Sequence, residues 1–174
     1  MTDSMPPDVE RSIETLSRRL GQACLARGIR VTTAESCTGG GVANAITAIA
    51  GSSAYFETGY VTYANVAKQR LLGVSGATLD AHGAVSEATV REMVVGACRD
   101  SGAELGISVS GVAGPGGGSP DKPVGTVWFA WGDEHRQRVR CHHLPGDRQS
   151  VRDLAVSIAL AGLIESLQEN DVDA

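Results

Sequence analysis

The stretch TAESCTGGG, Thr33–Gly41, decides how the rest of the chain is read. It follows a β-branched run, Ile29–Ala34, that predicts a strand. It leads into AITAIA, part of a helix predicted over Gly39–Ala48 and stopped by Gly51. A polar turn closed by glycines between a strand and a helix is where α/β proteins place their chemistry. Ser36 sits at the tip, and Thr38, Gly39 and Gly40 just beyond it are candidate substrate contacts. Glycines there let backbone N–H groups approach an anion at the positive end of the helix. The expectation is a nucleophile and an anion cradle in one turn.

Outward from that turn, the pattern alternates between helical and extended periods. Upstream, Ile13, Leu16, Leu20, Ala23 and Cys24 recur at helical spacing from Val9 to about Ala26, and Gly28 ends the run. Downstream, Thr58–Tyr63 (TGYVTY) predicts a strand and Asn65–Leu72 a short helix carrying Lys68. TLDAHGAVS reads as a small helical turn and a loop. Ser86 then caps a helix to about Ser101, with Val90, Met93, Val94, Ala97 and Cys98 as its apolar stripe. Leu105–Val109 is a strand, and the glycine- and proline-rich segment up to Gly125 a long loop. Thr126–Trp131 and Arg138–His143 form a hairpin around Gly132 and Asp133, and Asp147 caps a last helix. This order predicts one α/β domain over residues 9–168, a three-layer α/β/α sandwich with a mixed sheet. Residues 1–8 are expected to form a disordered tail and 169–174 a second tail.

The totals narrow the function. With 174 residues the chain can build a core without metal or disulfide staples. A net charge of −5 argues against a broad nucleic-acid surface. No apolar run approaches membrane-spanning length, and the polar start is not a signal peptide, so the cytoplasm is the expected compartment. The four cysteines make no CxxC pair and read as reduced thiols. His142 and His143 point to opposite faces of a strand and cannot easily share a metal. No metal and no cofactor are expected.

A serine hydroxyl is a poor nucleophile without a base, and no histidine is an obvious partner for Ser36. The chain has thirteen arginines but only two lysines, Lys68 and Lys122. An amine, unlike a guanidinium, can give up its proton when buried and serve as a base. Lys68 is therefore the candidate, although most helical lysines are merely solvated; it must lose its charge through burial or nearby cations. Tyr63, five residues earlier, could relay a proton, hold the amine or stack on a flat substrate. Cys37 is the rival nucleophile; in an extended segment it faces away from Ser36, so only one of the two can serve. The loop GVAGPGGGSPDKPVG carries neither a Walker motif nor GxGxxG. Its length still favours an anion-binding or lid role for Ser110, Gly111 and Gly114, beside the plain alternative of a connector. Arg148 opens the last helix and could hold a carboxylate or phosphate, with Arg152 one turn further on.

AESCTGG (34–40), GYVTY with the following AK (59–68), HGAVSE (82–87), SGVAGP (110–115), KPVGTVW (122–128) and GDR (146–148) together resemble the C-terminal domain of the competence/damage-inducible CinA proteins. The resemblance runs from about Leu16 to Leu167. Stand-alone members are nicotinamide-nucleotide amidohydrolases. It therefore implies hydrolysis of nicotinamide mononucleotide to nicotinic acid mononucleotide and ammonia, without metal, by an α/β/α homodimer. It places the family's serine nucleophile on Ser36, its lysine base on Lys68 and its assisting tyrosine on Tyr63. The substrate-holding arginine falls on Arg148, with Arg152 as the alternative. A non-catalytic nucleotide-binding module of the same fold is the competing reading.

Overall fold

A computed structural model describes residues 7–169, with side chains from residue 12. The expected tails lie outside the described residues, apart from positions 7, 8 and 169, which are helical. The elements run α1 (Pro7–Arg27), β1 (Val31–Glu35), α2 (Gly41–Thr47), β2 (Phe56–Val61), α3 (Asn65–Leu72) and α4 (Gly76–His82). They continue as α5 (Glu87–Ser101), β3 (Leu105–Gly111), β4 (Thr126–Gly132), β5 (Gln137–His143) and α6 (Arg148–Glu169).

Strand order is β2-β1-β3-β4-β5. β2, β1 and β3 run parallel, and β4 and β5 are antiparallel additions, so the sheet is mixed as expected. α1, α2 and α6 cover one face with a core that includes Leu20, Ile46, Ile107, Phe129 and Leu160. α3, α4 and α5 cover the other, around Ala34, Leu72, Leu79, Val90 and Met93. β1 is an interior strand between β2 and β3 and is buried along its whole length, which is why its sequence lacks the clean alternation of a half-exposed strand. Each large aliphatic or aromatic side chain fully buried in these cores stabilises the fold by about 1.5–3 kcal/mol.

Two glycines permit close approach, one between helix and sheet and one between two helices of the same layer. A Cβ at Gly162 of α6 would fall 2.1 Å from the Trp131 indole, which stacks on Phe129 and donates Nε1–H to Ala159 O at 3.0 Å. A Cβ at Gly96 of α5 would fall 1.9 Å from Leu72 O, so α3 and α5 meet backbone to backbone.

β1, α2 and β3 shift by one or two residues at their ends, to Val31–Glu35, Gly41–Thr47 and Leu105–Gly111, and two further differences bear on the site. β2 starts and ends two residues earlier than predicted: pairing stops where Val61 meets Glu35, the last residue of β1, so Tyr63 has left the sheet. Within TLDAHGAVS lies part of a seven-residue helix, α4, whose first turn is capped by the Ser75 hydroxyl accepting from Ala77 N–H at 3.2 Å.

The carboxyl ends of β1 and β3 lie side by side, tied beyond the ladder by Ser36 N–H donating to Val109 O at 2.9 Å. From there β1 leads across to β2 on one side and β3 to β4 on the other. Such a switch point opens a crevice at the strand ends.

Candidate active site

Side chains alternate along β1 and into the turn. Val31 and Cys37 join the α1/α2/α6 core, whereas Ala34 joins the α3–α5 core. The alternation turns Ser36 toward α3. There Lys68, only 1% exposed, brings Nζ to 3.0 Å from Ser36 Oγ and 2.7 Å from Thr62 O. Burial lowers the amine pKa from its ordinary value, opposed in small part by the nearby Cys37. No carboxylate lies within ion-pair distance among the described residues. A charged Lys68 would thus be buried uncompensated, which is costly. Lys68 Nζ donates to Thr62 O and Ser36 Oγ, and loss of its proton would leave a lone pair facing the Ser36 hydroxyl. The 3.0 Å separation is within the reach over which a side chain can exchange a proton with a hydroxyl.

The other side of the turn is saturated. Glu35 is fully buried; its Oε1 accepts from Thr38 Oγ1 at 2.6 Å and Val42 N–H at 2.8 Å, and its Oε2 from Ala43 N–H at 3.1 Å. The positive end of α2, expected to cradle a substrate anion, holds the chain's own carboxylate instead. Thr38 spends its hydroxyl on that carboxylate, and Gly39 N–H donates to Ser36 O at 3.0 Å. The N–H groups of Thr38 and Gly40 meet no acceptor among the described residues, whereas Cys37 N–H lies against its own thiol. Gly39 and Gly40 adopt φ of 59° and 97°, the left-handed region that favours glycine. From α6, Arg152 donates Nε–H to Cys37 O at 3.2 Å and holds the turn from behind. Cys37 is buried, and desolvation pushes its thiol up to about 11. It is neither a thiolate nor turned toward the amine.

At the mouth, Tyr63 is 63% exposed, and its hydroxyl accepts from Arg148 Nη2 at 3.0 Å rather than touching Lys68. Arg148 Nη1 donates to Gly114 O at 2.7 Å, so this arginine ties Tyr63 to the β3–β4 loop. Arg148 and Arg152, one turn apart, thus grip different loops. Ser110 is buried at the end of β3, and the register that pairs Ala34 with Ser108 carries it alongside Ser36. Gly111 closes β3 opposite Val127. His142 packs edge-on against Phe129, while His143 lines a hollow on the opposite face. A groove of about 440 Å³ between α1, α2 and α6 touches the back of the turn through Thr38 and Arg152 and stops short of Ser36.

Sequence reasoning missed Glu35 and Thr62. An acidic residue inside a strand with apolar and threonine neighbours was the available signal for Glu35. Thr62 acts through its carbonyl, which leaves no trace in residue identity.

The profile of the CinA C-terminal domain matches residues 13–167. The chain is 54% identical over 153 residues to a nicotinamide-nucleotide amidohydrolase PncC of Pseudomonas putida, covering 88% of this chain and 96% of that one. It is 50% identical over 171 residues to the protein of the same name in Escherichia coli K12, covering 98% and 99%. A crystal structure of a CinA superfamily protein from Klebsiella pneumoniae superposes with a TM-score of 0.87 at 44% identity, over 90% of this chain and 98% of that chain.

Proposed function

The chain belongs to the CinA C-terminal domain family, and from that membership we propose that it hydrolyses the carboxamide of nicotinamide mononucleotide, giving nicotinic acid mononucleotide and ammonia. The observation that carries the chemistry is the buried, unpaired Lys68 amine 3.0 Å from Ser36 Oγ.

In this reading Lys68 Nζ takes the Ser36 proton as Oγ attacks the carboxamide carbon. The C=O π pair moves to oxygen, where the N–H groups of Thr38 and Gly40 receive the charge, a term worth about 3–4 kcal/mol per donor. The tetrahedral intermediate collapses by breaking its C–N bond, and protonated Lys68 returns the proton to the departing nitrogen, releasing ammonia. Water, deprotonated by the same amine, attacks the acyl ester; Oγ leaves and takes the proton back. Tyr63 stands over the mouth as a face for the pyridine ring. Arg148 holds it there while binding Gly114, and Ser110 and Gly111 supply the wall on the β3 side.

The reading includes a cytoplasmic homodimer. Val61, Tyr63, Val66 and Leu71, all exposed along the end of β2 and α3, are apolar side chains a second copy would cover; light scattering on the purified protein checks this. The test of the activity is ammonia release from the mononucleotide by wild-type protein, compared with Ser36→Ala. Equal rates in the two would end the proposal.

A further inference from the structure

The dyad uses one of the chain's two lysines. The other, Lys122, sits in the β3–β4 loop with Nζ donating to His82 O at 2.6 Å. It lines a cavity of about 490 Å³ whose walls include His82, Ser86, Trp128 and His143. Asp121 and Glu87 also reach it, and Glu87 is engaged by Arg91 at 2.8 Å. The cavity lies on the same face of the sheet as Ser36: Trp128 packs against the α3–α5 core and is the register partner of Ser110. With neighbouring strands about 4.8 Å apart, Trp128 on β4 stands two spacings, about 10 Å, from the Ser36 column on β1. That span matches the reach of a mononucleotide from its ring to its phosphate.

The other candidate phosphate holders near the dyad already carry protein partners, each arginine spending two of its five N–H donors and held by them in place. Glu35 fills the start of α2, Arg148 is bound to Tyr63 and Gly114, and Arg152 is bound to the carbonyls of the turn. The Lys122 ammonium has three N–H donors and spends one on His82 O, leaving two. We propose that this cavity is the phosphate subsite: the nucleotide lies across β3 with its carboxamide at Ser36 and its phosphate on Lys122, above Trp128. The assignment rests on the amidohydrolase reading.

The test compares ammonia release from nicotinamide mononucleotide and from its dephosphorylated riboside. Lys122→Gln keeps a donor for His82 O while removing the charge, and Lys122→Arg keeps the charge. The expected result is that the mononucleotide-over-riboside ratio of kcat/KM falls about ten-fold or more in Lys122→Gln, through KM, and is retained in Lys122→Arg. An equal loss on both substrates would make Lys122 a strut for the loop and overturn the assignment. So would a ratio that collapses in Arg148→Ala but not in Lys122→Gln. Wild-type protein that releases ammonia from neither substrate would refute the amidohydrolase reading itself, and the subsite would fall with it.

Discussion

Consecutive residues at the end of β1 face two differently furnished sides of the sheet. On the α2 side, the Glu35 carboxylate receives three donors and the turn's carbonyls are gripped by Arg152. On the α3 side, the Lys68 amine is as deeply buried as Glu35, but among the described residues its hydrogen-bond partners are a carbonyl and the Ser36 hydroxyl. Burial is shared; satisfaction is not. A buried carboxyl group with a full set of hydrogen-bond partners acts as structure. An amine left short of partners, and of counter-charge, has its pKa lowered by burial, which is what the proposed mechanism asks of a base.

The largest effect expected from this contrast is on the α3 side. Ser36→Ala and Lys68→Met should each lower the rate of ammonia release by about 10³-fold or more while the far-ultraviolet circular dichroism stays unchanged. Lys68→Arg should be as inactive, because arginine keeps its proton. An active Lys68→Arg would break the contrast at its root.

The pH dependence comes next. Below the folded-state pKa of Lys68 the amine is protonated, and kcat/KM should fall about ten-fold per pH unit. Because that pKa is lowered in the fold, the unfolded chain binds more protons between the folded and unfolded values. The Lys68 contribution to stability therefore rises with pH across that window and is penalised below it. Urea unfolding of wild type against Lys68→Met should show their difference shifting in favour of wild type as pH rises toward the ordinary lysine value. A difference independent of pH would mean that the amine stays charged in the fold.

On the saturated side the effect should appear as stability. Glu35→Gln turns an amide N–H₂ toward groups that are themselves donors and should cost about 2 kcal/mol, read as a lower urea midpoint at unchanged slope. Activity loss without that cost would give Glu35 a chemical part and blur the distinction. The smallest change is expected at Cys37. Cys37→Ala should retain activity within about three-fold and cost about 1 kcal/mol for the small void it leaves. Inactivation by iodoacetamide that Cys37→Ala abolishes would instead move the nucleophile to the wrong side of the strand.

Most of the architecture was legible in the residues because the periods were clean. The apolar stripe of α5 and the serine that caps it, the glycine stops, and the hairpin around Gly132 each announce an element by local chemistry. β2 was placed two residues late. TGYVTY has strand composition to its end, while the ladder stops where β1 runs out of partners, a fact that belongs to another segment. Ser36 and Lys68 could be named as partners from residue type and scarcity. The helical terminus at Gly41 could not be recognised as already filled, because its occupant, Glu35, lies on the preceding strand.

The sequence by itself determined the layered fold, the glycine turn after the first strand, and the candidates for nucleophile and base. Hydrophobic period, cap residues and side-chain chemistry are local, and each is written in a few adjacent positions. The tertiary structure alone decided which carboxylate, carbonyl or guanidinium meets each of those groups. It gave Arg148 to Tyr63 and Gly114, Arg152 to the turn, and Thr62 O to the amine. Those pairings join residues up to 115 positions apart, and the burial that lowers the Lys68 pKa comes from several elements packing at once.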